Sequence, residues 1–394
     1  MRCESSISRR SFLRIAGAAT VTVPMLTEGH LAWAQIGRRT PLNLKPGAVL
    51  INANENPMGP SSAACEAIAK AGMAGGRYDF ARTIELTKVF SEQEGLKPEY
   101  IDVYAGSTEP LHFSVLAFTS KDRGYVTADP GYEAGAVAAG YAKAKVYKVP
   151  LTPNYAHDVK AMVAADPNAG LFYICNPNNP TGTITPKQDI QWALDHKPEG
   201  SVLLIDEAYI HLSDAESCID MVKADKDVII LRTFSKVYGM AGIRCGFAIA
   251  RPDLLAKLHT YSQNPMPITA ASAATASLKD ETLVPTRKKI ITDIRTDTFD
   301  WLTANNYAFI PSQSNCFMID TKRDAQGVFT AMIAKNVYIG RVWPVWPTHV
   351  RVTVGTADEM AKFKLAFKAV MDSPAAAVPQ QSALPYEIPF SHLG

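Results

Sequence analysis

The 394-residue chain lacks charge of one sign. It has 40 Lys and Arg against 38 Asp and Glu, and the first 34 residues hold four Arg and two Glu. The remainder is therefore neutral, which argues against a nucleic-acid-binding surface or a polybasic membrane patch. Cysteine is sparse, six in all, scattered and without CxxC or zinc spacing. A metal centre or a disulfide framework is not expected. There are no repeats, no long linker and no apolar run long enough to form a stable membrane span.

The N-terminus stands apart. Ser8-Arg9-Arg10-Ser11-Phe12-Leu13-Arg14 is a twin-arginine stretch, followed by a moderately apolar run from Ile15 to Leu26 and the small-residue pattern Ala32-Trp33-Ala34. This order predicts export to the periplasm by the twin-arginine route, with cleavage near Ala34. That route carries folded proteins, often with a cofactor already loaded. Five cysteines would remain, and most of them reading as small core residues in an exported protein would then be explained.

The next feature is a lysine where lysines are uncommon. Val228 to Leu231 reads as a buried strand, and Thr233-Phe234-Ser235-Lys236 follows it directly; Gly246 to Ala250 reads as a second strand, preceded by Arg244. Lys is rarely buried without a partner, and at such a position it is a candidate Schiff-base former. Ser235 and Arg244 are placed to hold an anion beside it.

Other strands end in the same way. Ile101 to Ala105 runs into Gly106-Ser107-Thr108, which opens a helix to about Phe118; this is either a plain helix N-cap or an anion cradle. Gly124 to Ala128 leads to Tyr132. Ala144 to Val149 is a further strand. Leu171 to Cys175 leads to Asn176-Pro177-Asn178-Asn179-Pro180-Thr181-Gly182, and Ser201 to Ile205 leads to Asp206-Glu207-Ala208-Tyr209. Upstream, Val49 to Ile51 precedes Asn52-Ala53-Asn54-Glu55-Asn56-Pro57. Two helices, Ser61 to Ala71 and Arg82 to Glu94, flank Gly76-Arg77-Tyr78-Asp79.

Near-continuous apolar strands alternating with helices predict an α/β fold with a mostly parallel sheet covered on both faces. In such sheets ligands sit at the carboxyl ends of the strands. Gly106, Ser107, Thr108, Tyr132, Asn179, Asp206, Tyr209, Ser235 and Lys236 are all expected at that edge. A lysine for an imine, a buried carboxylate, a stacking tyrosine and a phosphate cradle with a cation are what pyridoxal phosphate requires.

Five stretches then make the reading specific: Asn52 to Pro57, Asn178 to Gly182, Asp206 to Tyr209, Ser235-Lys236 with Gly242 to Gly246, and Val350-Arg351-Val352-Thr353-Val354-Gly355. In order and spacing the chain, from roughly Leu50 to Met371, resembles the fold-type I pyridoxal-phosphate aminotransferases, most of all their histidinol-phosphate aminotransferase branch. The resemblance implies a seven-stranded sheet and a role for each residue. Lys236 bonds the cofactor and shuttles the substrate proton. Asp206 pairs with the ring nitrogen. Asn179 and Tyr209 bind the phenolic oxygen, and Tyr132 stacks on the ring. Gly106, Ser107, Thr108, Ser235 and Arg244 hold the phosphate. Tyr78 reaches the phosphate of a second subunit, which makes the protein a homodimer. Arg351 binds the substrate carboxylate, with Asn54 near it.

The expected domains are a signal peptide (1–34), a small domain (35–74 with 289–372), a large cofactor-binding domain (75–288) and a Pro/Ala-rich tail (373–394). Two departures from the branch bear on the substrate. Ser107-Thr108-Glu109 alters the usual acidic pair of the cradle. Gly340-Arg341-Val342-Trp343-Pro344-Val345-Trp346-Pro347 suggests a rigid aromatic rim to the pocket. Export also argues against histidine biosynthesis, so an aromatic or bulky L-amino acid with a 2-oxo acid acceptor is expected. A decarboxylase or cyclising lyase on the same scaffold, and a non-catalytic binding protein, remain the alternatives at this point.

Overall fold

A computed structural model describes residues 44–261 and 264–374. The twin-arginine stretch, the cleavage site and nearly all of the C-terminal tail lie outside the described residues. After a short first strand, β1 (Val49–Ile51), come β2 (Ile101–Tyr104), β3 (Tyr125–Asp129), β4 (Val146–Pro150), β5 (Leu171–Cys175), β6 (Val202–Asp206), β7 (Val228–Thr233) and β8 (Gly246–Ile249). The last seven of these form the central sheet, in the order β2-β8-β7-β6-β5-β3-β4. Only β8 runs antiparallel to its neighbours. The other pairings are parallel, β5 against β6 with Cys175 opposite Asp206 and β6 against β7 with Asp206 opposite Leu231.

Every residue of β5, β6 and β7 is buried. Successive side chains point to opposite faces of a sheet, so each strand feeds two separate cores. Phe172, Ile174, Leu203, Ile205, Val228 and Ile230 enter one. Leu171, Tyr173, Val202, Leu204, Ile229 and Leu231 enter the other. A strand buried on both faces has no polar alternation to show, which is why these segments read as unbroken apolar runs.

Two smaller sheets are built mainly from the C-terminal part of the chain, which supplies β9 (Ala308–Ile310), β10 (Cys316–Asp320), β11 (Val337–Ile339) and β12 (His349–Thr353). Strand β1 pairs parallel with β11. Strand β10 lies between β9 and β12, antiparallel to both. Among the described residues no helix is long and apolar enough to cross a membrane.

Boundaries differ from expectation where local chemistry intervenes. The fourth strand starts at Val146 rather than Ala144, because Lys143 takes a left-handed turn (φ 54°) after the helix Ala134–Tyr141. The helix expected from Arg82 begins at Phe80, and Asp79 pairs with Arg82 at 2.9 Å instead of capping it.

Candidate active site

All the strand-end residues singled out in the sequence follow mutually parallel strands, and so arrive at one edge of the sheet. Asp206 ends β6, with its side chain on the face shared by Leu204 and Tyr173. It is buried, and both of its hydrogen bonds come from uncharged donors. Tyr173 Oη–H donates to Oδ2 at 2.9 Å and the Ala208 N–H donates to Oδ1 at 3.0 Å. Burial pushes its carboxyl up to about 6, against the pull of these two donors and of nearby Lys236. The neighbouring Glu207 faces the other way, into a buried pair with Arg232 at 2.6 Å. Of two adjacent carboxylates, one serves the framework and the other faces the site.

Tyr173 was not picked out in the sequence, although one signal was there. A phenol inside an otherwise apolar, fully buried strand needs a partner for its O–H. Burial and the adjacent Asp206 hold its phenol well above the usual value, so it stays protonated and donates. Hydrogen bonds to a charged acceptor contribute about 1.5–3 kcal/mol. Tyr173→Phe should therefore weaken pyridoxal-phosphate affinity by about tenfold in an absorbance titration; an unchanged affinity would contradict this role.

Lys236 lies three residues beyond β7. Its Nζ donates to the Asn54 carbonyl at 3.1 Å and sits 5.3 Å from the centre of the Tyr209 ring. Asn54 is a hub that the sequence marked only as near the substrate. Its backbone is left-handed (φ 53°), a conformation Asn tolerates better than most residues. Its Nδ2 donates to Tyr209 Oη at 3.0 Å, its carbonyl also accepts from Asn315 Nδ2 at 3.0 Å, and its N–H donates to Thr353 Oγ1 at 2.9 Å. The loop after β1 thus ties the lysine, the tyrosine and β12 together.

Arg351, on β12, is buried. It donates through Nη1 to Asn179 Oδ1 at 3.0 Å and through Nη2 to the Asn52 carbonyl at 2.7 Å. Gly340 makes room for it, since a Cβ there would come within 2.9 Å of Arg351 Nε. Trp343 packs against the same guanidinium, 5.4 Å from ring centre to Cζ. The tryptophan is fully buried, so this residue packs in the interior and forms no exposed rim. It buries because its ring covers two guanidinium groups and its Nε1–H reaches the Gly131 carbonyl at 3.3 Å.

The cradle turn also took its own course. Ser107 occupies the N-cap position of the helix Thr108–Phe118, but with helical φ and ψ and no side-chain cap bond. Its hydroxyl is therefore not spent on the helix. Gly106 has φ 93°, and a Cβ on it would collide with the Arg244 guanidinium. Arg244 donates to the Ala241 carbonyl at 2.9 Å and to Ser235 Oγ at 3.4 Å. Thr108 Oγ1 and Tyr132 Oη are 3.5 Å apart. Tyr78 alone is remote from this cluster: it is 81 % exposed and stacks on Phe80.

A helix N-terminus, two hydroxyl side chains and an arginine around a glycine that cannot carry a side chain suit a phosphate. A buried carboxylate held by neutral donors suits a protonated ring nitrogen, and a lysine on the next strand's end suits an aldehyde. These residues fit pyridoxal phosphate.

The fold and the site are those of an aminotransferase. The chain belongs to the aminotransferase class I and II family, whose model matches residues 46–365. It is 31% identical over 331 residues to the histidinol-phosphate aminotransferase of Moorella thermoacetica, covering 82% of this chain and 85% of that protein. It is also 31% identical over 318 residues to an aromatic amino acid aminotransferase of Cutibacterium acnes, covering 79% and 89%. Among solved structures, histidinol-phosphate aminotransferase from Sinorhizobium meliloti in complex with pyridoxal-5'-phosphate superposes with a TM-score of 0.78. That match covers 93% of this chain and 98% of the other; at 24% identity it shows the fold alone.

Proposed function

We propose that this aminotransferase moves an amino group between an aromatic or bulky L-amino acid and a 2-oxo acid, with Lys236 as the residue that bonds pyridoxal phosphate. The observation that carries the reading is that Asp206 and Lys236 stand at the ends of adjacent parallel strands, that Arg351 of β12 bonds Asn179 beyond the next strand, and that Asn54 bonds both Lys236 and Tyr209. When bound, pyridoxal phosphate supplies an aldehyde and an electron-withdrawing ring. Asp206 keeps the ring nitrogen protonated. Arg351 offers a planar fork to the substrate carboxylate and so fixes the amino acid's orientation. Lys236 Nζ, free once the substrate amine has taken its place on the cofactor, would take the proton from the substrate Cα and deliver it to the cofactor's former aldehyde carbon. Tyr132 would pack against the ring, Asn179 and Tyr209 would hold its phenolic oxygen, and the N–H groups after Gly106, with Ser107, Thr108, Ser235 and Arg244, would hold the phosphate.

Titrating the protein's absorbance with a panel of L-amino acids tests this. One donor should convert the cofactor band to that of the aminated form, and a 2-oxo acid should reverse it. A band that no donor converts would overturn the reading in favour of a decarboxylase or lyase. Conversion by histidinol phosphate alone would overturn the substrate class.

Three further expectations belong to the same proposal. Residues 44–74 and 289–372 form a small domain against a large one, with the site between them. The protein works as a homodimer, supported by exposed Met73, Tyr78, Phe80 and Ile84, which together leave an apolar surface uncovered in one subunit; light scattering at the mass of one chain would refute it. The twin-arginine stretch directs export, and recovery of the protein solely in the cytoplasmic fraction would refute that.

A further inference from the structure

The segment before β12 carries a second arginine close to the first. Arg341 Cζ lies 3.9 Å from the centre of the Trp343 ring, the same ring that Arg351 contacts. The Arg341 side chain is only 6% exposed, and its Nη2 meets Glu133 Oε2 at 2.7 Å. Glu133 directly follows Tyr132, and the same loop receives the Trp343 Nε1 hydrogen bond at Gly131. Two guanidinium groups therefore flank one buried indole, and one of them is matched by a carboxylate from the ring-stacking loop.

We propose that Glu133 is a specificity-determining residue: by holding the charge of Arg341, it sets the preference of the site for uncharged over anionic amino-acid side chains. The proposal rests on the reading of Arg351 as the carboxylate anchor. Arg341 and Arg351 share the Trp343 ring, so the charge of Arg341 acts at short range on the side chain of a substrate anchored at Arg351. An uncharged side chain leaves the ion pair intact. An anionic side chain meets a guanidinium already satisfied and a carboxylate that repels it. Buried, charge-assisted pairs discriminate strongly because one partner cannot be displaced without leaving the other unmatched.

The test uses the holoenzyme and two unreactive acids, 3-phenylpropanoate and glutarate, whose binding is measured by calorimetry, together with L-phenylalanine and L-glutamate as donors. Glu133→Gln removes the charge and keeps the shape. It should raise the glutarate-to-phenylpropanoate affinity ratio, and the glutamate-to-phenylalanine ratio of kcat/KM, by about tenfold. Adding Arg341→Gln should return both ratios toward the wild-type values. Equal losses on both ligands with unchanged ratios would mean that Glu133 merely supports the loop, and would overturn the proposal. So would a shift that survives the second substitution. Arg351→Gln separates the two readings. If it binds both acids as the wild type does, the anchor reading fails and the proposal with it. If it weakens both alike while Glu133→Gln leaves their ratio unchanged, only the proposal fails.

Discussion

Lys236→Ala is expected to lower transamination by about ten-thousandfold or more while the protein still folds. The amine has two tasks in the proposed reaction, bonding the cofactor and moving the Cα proton. Loss of a positioned general base alone costs about 10²–10⁴ in rate, and loss of the covalent link adds to this. The structural cost is small by comparison. The Lys236–Asn54 hydrogen bond, an ammonium on a neutral carbonyl, is worth about 1.5–3 kcal/mol. Asn54 keeps its bonds to Tyr209, Thr353 and Asn315, so the hub stays in place. The informative measurement is single-turnover conversion of the loaded variant by the preferred donor, with and without added methylamine. Partial rescue by the free amine would identify the missing group as a proton carrier. Retention of more than about a tenth of wild-type activity would remove Lys236 from the chemistry.

Asp206→Asn is expected to lower kcat by about 10²–10³, in the range found when one preorganised electrostatic partner is removed from a site. The geometry favours a clean effect, because the amide is nearly isosteric. It does not, however, stabilise a protonated ring nitrogen. The same variant isolates a pH effect. Burial raises the Asp206 carboxyl from 3.8 to about 6. In the cofactor-free folded protein it therefore holds a proton that the unfolded chain has already lost. Stability contributed by this group falls as pH rises from about 4 to 6, and the whole penalty, about 3 kcal/mol, is present above that window. The amide of the variant does not titrate and carries no such penalty. The stability of wild type minus that of Asp206→Asn, both without cofactor, should thus decline from about pH 4 to 6 and then level off. Added pyridoxal phosphate at neutral pH should raise the melting temperature of the wild type more than that of the variant. A pH-independent difference would show that this carboxylate is not buried as a charge.

Much of the site was legible because many of its residues stand at the carboxyl ends of strands. Gly106, Tyr132, Asn179, Asp206 and Lys236 each follow an apolar run, and parallel strands deliver their carboxyl ends to a common edge. What was not legible are the contacts between segments far apart in the chain. Tyr173 donates to Asp206 only because β5 and β6 align with Cys175 opposite Asp206. Asn54 reaches Tyr209 and Thr353 only because β1 packs beside the C-terminal sheets. Trp343 read as a rim residue because two tryptophans and two prolines stand shortly before Arg351. It is buried because Arg341 and Arg351 both pack on its ring.

The sequence by itself determined the α/β class, the mostly parallel sheet and the residues that stand at its working edge, since periodicity and strand-end position are local properties of the chain. Only the tertiary structure decided which of those residues touch. It joined Lys236 to Asn54, Asp206 to Tyr173, Arg351 to Asn179 and Arg341 to Glu133. Burial and pairing of polar groups depend on which distant segments meet, and no local pattern encodes that.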